Sequence, residues 1–245
     1  MIGAVALAGL PEVRAGDDLA TILAGAHDFA GDEVLVLAHK VVSKAEGRVV
    51  SLDTVKPSPR ALELATTLRK EDPRHVEVVL RESAEIVRAE RGVIISRTRH
   101  GFVCANAGVD ASNAPGGSLV LLPVDPDASA RRLRAALPGN PAVVIADSFG
   151  RAWRHGQCDV AIGIAGLAPL EDWRGRVDAH GRELHATWIA IADQAASAAD
   201  LARGGKDARE PAVVVRGLER HVLPPGDDGP GAAALVRPRD EDLFC

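Results

Sequence analysis

The chain has no tyrosine among its 245 residues, and tryptophan and phenylalanine bring the aromatic share to only 3%. That shortage excludes the stacking platforms on which proteins hold single-stranded nucleic acid, and it leaves the core to Ala, Val, Leu and Ile. Cysteine is scarce and scattered. Cys104, Cys158 and Cys245 form no CxxC pair, which argues against a disulfide framework or a zinc knuckle and fits a reducing, cytoplasmic compartment. No apolar run reaches the roughly 20 residues needed to cross a bilayer. The N-terminal run from Met1 to Leu10 has no basic flank and is cut short by Pro11 and Glu12, so it reads as a buried first strand rather than a signal peptide. Positive charge is not in excess either: a net charge of −5 disfavours nucleic acid and acidic membranes as partners. There is no GxxxxGK[ST] loop, no strand-linked GxGxxG, no HExxH and no GxSxG, and the eight histidines do not cluster at ligand spacing.

What is present is an ordinary globular balance, 47% hydrophobic and 26% charged. Strands are expected over Ile2–Ala8, Glu33–His39, Ser118–Leu122, Pro141–Ala146, Asp159–Ala165 and Pro211–Val215. The unbroken apolar run Val34–Leu37 predicts burial on both faces. Helices are expected from Asp17-Asp18 to about Phe29, over Pro57–Lys70, and from Asp72-Pro73 with an apolar stripe reaching Ala84 and Val87. Two more are expected from Asp125-Pro126-Asp127 to about Leu137 and over His185–Ala202, which Gly204-Gly205 can end. Gly92–Ser96 and Gly101–Ala105 predict a hairpin, Lys40–Val50 a polar continuation of its strand, and Pro224–Gly231 a mobile loop. Strands and helices alternate irregularly, so a simple doubly wound sheet is not implied.

Two acidic segments carry most of the chemical information. Asn106-Ala-Gly-Val-Asp110-Ala-Ser-Asn113 and Ala146-Asp147-Ser148-Phe-Gly150-Arg151 each read as a loop that follows a strand. Mg²⁺ and Mn²⁺ favour a few carboxylates plus water or phosphate oxygens, and Asp110, Asp147 and the Ser148 hydroxyl suit them. The plainer reading is that both aspartates satisfy loop amides. Lys40 and Lys44, four apart, place two ammonium groups on one side of a helix or of a strand, where they can face one anion or form a solvated edge. Arg151 and Arg154 follow the second acidic segment, Arg97 and Arg99 fall at the expected hairpin tip, and Arg174 and Arg176 follow Trp173. Guanidinium groups near a metal suit phosphate or carboxylate recognition.

In order, these segments resemble one family over almost the whole chain, the coenzyme F420-0:L-glutamate ligases (F420-0 γ-glutamyl ligases). The resemblance rests on Gly9-Leu-Pro11, Gly16-Asp-Asp-Leu19, Val42-Ser-Lys-Ala-Glu-Gly-Arg48, Asn106–Asn113, Gly117-Ser118 and Asp125-Pro-Asp127. It continues through Asp147-Ser-Phe-Gly-Arg151, Ala161-Ile-Gly-Ile-Ala-Gly166, Asp172-Trp173, Asp178-Ala-His-Gly-Arg-Glu-Leu184 and Ala212-Val-Val-Val-Arg-Gly217.

The resemblance implies a GTP-dependent amide ligase of coenzyme F420 biosynthesis. Such an enzyme adds L-glutamate to F420-0, giving F420-1 or, after a second addition, F420-2, through an acyl phosphate, with release of GDP and phosphate. It implies a mixed α/β (α+β) fold, a two-lobed, mixed-sheet architecture that is not a simple Rossmann fold, an intertwined homodimer, and requirements for Mg²⁺ or Mn²⁺ and for K⁺. Residues 1–245 are expected to form a single ligase domain without a C-terminal flavin-binding domain. By position, Asp110, Asp147 and Ser148 match the metal ligands. Leu10, Pro11, Glu12, Val13, His39, Lys40, Lys44 and Asn113 match GTP-contacting segments, as do Gly204, Gly205 and Lys206 of the glycine-rich segment. Asp110, Asp147, Lys44 and Arg151 form the implied catalytic set. The sequence departs from the pattern twice. A hydroxyl pair is absent where His39 and Lys40 stand, and Gly205 falls where a Glu or Gln ligand is often found. Two other readings are a related amino-acid ligase with a different acceptor, and a non-catalytic module that binds deazaflavin or nucleotide.

Overall fold

The computed structural model describes residues 1–205 and 207–242. Along the chain, β1 (Gly3–Ala6) is followed by α1 (Leu19–Ala24), β2 (Val34–Ala38), α2 (His39–Ala45) and β3 (Val49–Ser51). Next come α3 (Pro59–Leu68), α4 (Pro73–Glu82), β4 (Ser83–Glu90), β5 (Val93–Thr98), β6 (Val103–Ala105) and β7 (Ser118–Val120). The chain then forms α5 (Pro126–Ala136), β8 (Ala142–Arg151), β9 (Arg154–Ala165), β10 (Leu170–Asp172), β11 (Trp188–Ala190), α6 (Ile191–Ala202) and β12 (Ala212–Arg216).

The central sheet has the order β1-β12-β2-β8-β9. Only β2 and β8 are parallel neighbours; every other pairing in it is antiparallel. Val34–Leu37 are fully buried, as their unbroken apolar run predicts. Alternate residues serve two different cores. Leu35, Leu37, Val143, Ile145 and Val214 pack with Leu23 of α1, Val42 of α2 and Leu133 of α5. Val34, Val36, Val144, Val213 and Val215 pack on Ala192, Ala196 and Ala199 of α6. Each fully buried Val or Leu side chain contributes about 1.5–3 kcal/mol, so the period-2 alternation fixes the register firmly. A third core, with Ala61, Leu68, Val76, Val79, Ile94 and Leu119, joins α3 and α4 to the small sheets β3-β7 and β4-β5-β6 and makes the second lobe. The result is a mixed α/β fold of two lobes and not a Rossmann fold.

Caps fall where acidic or hydroxyl residues precede a helix. Asp18, Asp72 and Asp125 each accept a backbone N–H of their helix, and Pro73 and Pro126 occupy first-turn positions. Four expectations are corrected. The first helix stops at Ala24, ahead of Gly25. The helix after Asp72 stops at Glu82, so Ala84 and Val87 lie in β4, which pairs with β5 through the tight turn at Arg91 and Gly92, both with positive φ. The alanine-rich helix begins only at Ile191, because Trp188–Ala190 pair with Leu170–Asp172. His39, expected as the last residue of a strand, instead opens helix α2, and residues 39–45 take the helical form of the two considered, with Val42 in the core.

The expected mobile loop Pro224–Gly231 is instead anchored. Arg134, 3% exposed, donates through Nη1 to the Asp227 carbonyl and the Asp228 carboxylate, and through Nη2 to the carbonyls of Leu223 and Pro224. Gly166 lies against this guanidinium at φ 72°, where an added Cβ would sit 2.2 Å from Arg134 Nε. Arg134→Met keeps the bulk and removes these bonds. It should cost about 2–4 kcal/mol of stability and open residues 223–231 to limited proteolysis. Wild-type stability and cleavage in this variant would contradict the anchoring.

Candidate functional site

The site is built where the parallel pairing of β2 with β8 ends. The β2–β8 register places Ala38 opposite Ala146, so the residues that follow, His39 at the start of α2 and Asp147 in the continuing β8, emerge together at the carboxyl end of the paired segment. In α/β sheets this is where ligands bind. His39 opens α2 directly after β2 and is only 2% exposed. Its Nδ1 lies 3.3 Å from Ser43 Oγ. Its Nε2 lies 3.3 Å from Asp147 Oδ1, close but without hydrogen-bond geometry. Asp147 Oδ1 also accepts the Ser148 backbone N–H at 2.8 Å.

The next residue of α2 reaches the other aspartate. Lys40 Nζ donates to Asp110 Oδ2 and to Ser112 Oγ, each at 2.6 Å. Asp110 is fixed by a two-way backbone bridge to Val120 and accepts the Ser112 N–H and hydroxyl. Burial opposes its charge, but Lys40 and Ser112 outweigh that, and the carboxyl titrates below the ordinary aspartate range. One helical turn on, Lys44 Nζ donates to Glu12 Oε1 at 2.6 Å. The two ammonium groups therefore meet separate carboxylates, not one shared anion. Glu12 is two-thirds exposed, so this pair is worth at most about 1 kcal/mol and serves mainly to orient Lys44. The loop holding Leu10, Pro11, Glu12 and Val13 is tied to the end of α2 by Gly16 N–H to the Ala45 carbonyl, and Val13 is buried in the core beside it.

α2 thus gathers Glu12, His39, Lys40, Lys44, Asp110 and Asp147. Other expected residues stand elsewhere. Asp147–Arg151 is not a loop but the end of β8, which turns at Ala152-Trp153 into β9. Extended pairing across Ser148–Asp159 and Phe149–Cys158 overrides the turn-like composition. Arg151 therefore lies four residues up the strand, about 13 Å from Asp147, and donates to the His155 carbonyl of its own hairpin. Asn113 is exposed with φ 55°, three residues past Asp110. Gly204 and Gly205 follow α6; Gly204 N–H donates to Glu210 and Gly205 has φ 110°. Lys206 lies outside the described residues, as does Cys245. Arg97 is inside β5 rather than at its tip.

Strand alternation separates Ser148 from Asp147. Ser148 faces α6, where its hydroxyl donates to Asp159 Oδ1 at 2.7 Å. Asp159 is 2% exposed and pairs with Arg203, the residue that opens the glycine-rich segment. Sequence reasoning missed Asp159 and Arg203; the available signal was one acidic residue starting the otherwise apolar run Asp159–Ala165. Cys104, near Asp147, has its thiol pushed up to about 12 by burial and by the Asp147 charge, so it is no thiolate nucleophile.

Among the described residues, no group of three or more His, Cys, Asp or Glu side chains is arranged to hold a metal ion. The donor chemistry nonetheless fits a hard cation of the Mg²⁺ or Mn²⁺ kind that takes its remaining ligands from water or phosphate. Two carboxylates reach the first turn of α2, and the Ser148 hydroxyl offers a further oxygen on the opposite face of β8.

The family model for F420-0:Gamma-glutamyl ligase matches residues 9–217. The chain belongs to this family. Among its relatives, a protein named coenzyme F420:L-glutamate ligase from Methanothermobacter thermautotrophicus is 44% identical over 99% of this chain and 98% of its own length. Proteins of the same name from Methanopyrus kandleri and Natronomonas pharaonis are each 48% identical, over 95% and 98% of this chain and 93% of their own lengths. Within the F420-0:gamma-glutamyl ligase family frame, the motifs at 106–113 and 147–151 are the two segments that α2 holds.

The Lys40–Asp110 contact has a measurable consequence. The folded pKa of Asp110 is depressed, so its ionised form stabilises the fold above about pH 4, and that contribution fades as pH falls through the lowered value. In Lys40→Met, burial acts with less opposition and the Asp110 pKa should rise. Carboxyl ¹³C titration by NMR reads this; an unmoved Asp110 would contradict the pairing.

Proposed function

We propose that this chain is a GTP-dependent ligase that joins L-glutamate to coenzyme F420-0 through an acyl phosphate. The observation that carries the reading is the convergence of Asp110 and Asp147 on the first turn of α2, with Lys40 and Lys44 beside them. Near-full-length relatives named coenzyme F420:L-glutamate ligase support the substrate assignment.

A carboxylate is a poor electrophile and must be activated before an amine can displace oxygen. In the proposed reaction an oxygen of the F420-0 carboxylate attacks the γ-phosphorus of GTP, the bond to the β-phosphate oxygen breaks, and GDP leaves. The glutamate amine then attacks the acyl carbon, phosphate departs, and the amine gives up its proton. Lys44, turned by Glu12 along the 10–13 loop, and Lys40, beside Asp110, supply ammonium groups for the triphosphate. His39, Asn113 and the 203–210 segment are assigned to further nucleotide contacts. Divalent cations held by Asp110 and Asp147 on the α2 face of β8, and by the Ser148 hydroxyl on its α6 face, would neutralise charge on the transferring phosphoryl group. Arg151, exposed on the β8–β9 hairpin, is assigned to an acidic group of a substrate rather than to the aspartates. K⁺ belongs to the same proposal, as does an intertwined homodimer, which the exposed Ile2 just before edge strand β1, Val5 on that strand, and Val177 and Trp188 around β10–β11 support. No helix among the described residues is long and apolar enough to cross a membrane.

Asp110→Ala and Asp147→Asn should each lower turnover by at least about 100-fold while leaving the thermal transition cooperative; near-normal turnover in either would overturn the metal assignment. The chemical route is read by isotope transfer. With ¹⁸O in the F420-0 carboxylate, released phosphate should carry one ¹⁸O, whereas unlabelled phosphate would rule out the acyl phosphate.

A further inference from the structure

Asp159 is a buried carboxylate that the reaction above does not use. It lies directly across the β8–β9 ladder from Ser148 and accepts a hydrogen bond from the Ser148 hydroxyl at 2.7 Å through Oδ1. Its Oδ2 is held by Arg203 Nη1. α6 braces the same stretch of β9: Ser197 Oγ donates to the Asp159 carbonyl at 2.9 Å, and Asp193 Oδ1 accepts the Ala161 N–H at 2.9 Å. Arg203 ends α6 and begins the glycine-rich segment. Its Nε and Nη2 are buried and have no hydrogen-bond partner among the described residues, so within them the Asp159 contact is what orients the guanidinium.

From this geometry we infer that Asp159 is a positioning residue that sets the polarity of the Ser148 hydroxyl and locks the end of β8 to the start of the 203–210 segment. A carboxylate paired with a guanidinium has no proton to give, so Ser148 must be the donor. With its proton committed to Asp159, the hydroxyl oxygen has only lone pairs left to offer a ligand. A cation ligand needs that state, and a freely turning hydroxyl holds it only part of the time. The arrangement is the oxygen counterpart of a carboxylate that orients a metal-bound imidazole. It rests on the assignment of Ser148 as a cation ligand made above.

Asp159→Asn tests the polarity while keeping the shape. Arg203 attracts the amide oxygen, which turns the amide NH₂ toward Ser148. The hydroxyl then has to accept rather than donate, and a lone pair is lost to the cation. Mn²⁺ binding to the full chain in the presence of GDP is followed by the EPR signal of free Mn²⁺, for wild type, D159N, S148A and the double variant. Orienting partners of this kind are worth about 10–100-fold in metal affinity. D159N and S148A should therefore each weaken Mn²⁺ binding by about tenfold or more, and D159N should add little on top of S148A. If S148A weakens binding while D159N does not, or if the two effects multiply, Ser148 remains a ligand and the orienting role of Asp159 is overturned. If S148A itself changes nothing, Ser148 is no ligand and the inference falls with that assignment. Should D159N unfold because Arg203 loses its counter-charge, D159N/R203M removes both charges, and the same comparison is made in the R203M background.

Discussion

The parallel pairing of β2 with β8 is the constraint on which everything else in this structure depends. It is the one parallel contact in an otherwise antiparallel sheet, and it sends two strands out of the core at the same end and in register. Ala38 opposite Ala146 makes His39 and Asp147 neighbours. Because the chain turns into α2 at that point, Lys40 is carried to Asp110 in the second lobe and Lys44 to Glu12 in the loop after β1. A slip of one residue would exchange the two faces of β8. Asp147 would turn toward α6 and Ser148 toward α2. The buried valines and leucines on both faces hold the register against such a slip, so core packing, not the exposed ion pairs, keeps the site in shape.

Electrostatics at the site are arranged as local pairs between carboxylates and cations rather than as one basic pocket. Such pairs contribute little net stability where they are exposed. Their effect is to hold each ammonium group in a set place, Lys40 at Asp110 and Lys44 at Glu12. On the other face of β8 the pair is buried: Asp159 and Arg203 lie between Ser148 and the glycine-rich segment. The two faces of one strand end thus carry different parts of the machinery, with Asp147 toward α2 and Ser148 toward α6.

Much of this was legible in the sequence. The unbroken run Val34–Leu37 marked a strand buried on both faces, and Asp72, Asp125 and Pro73 marked helix starts, because burial and capping are local effects. The two-lobed fold and the paired aspartates came from the ordered motifs. Long-range pairing hid the rest. Ser148-Phe-Gly150-Arg151 has the composition of a loop but is held extended by β9, Ser83–Glu90 continues a helical stripe but is captured by β5, and Trp188–Ala190 sits in a helical composition but pairs with β10. The separation of Lys40 from Lys44 by their partners, and the link from Ser148 through Asp159 to Arg203, depend on residues tens of positions apart and leave almost no local signal.

The role proposed for this geometry is GTP-driven addition of L-glutamate to F420-0. Product mass tests it most directly, after the purified protein is incubated with F420-0, L-glutamate, GTP, Mn²⁺ and K⁺. A gain of one or two glutamyl units that requires both GTP and the divalent ion is the expected result. Unchanged F420-0, under conditions in which a relative from the same family works, would contradict it.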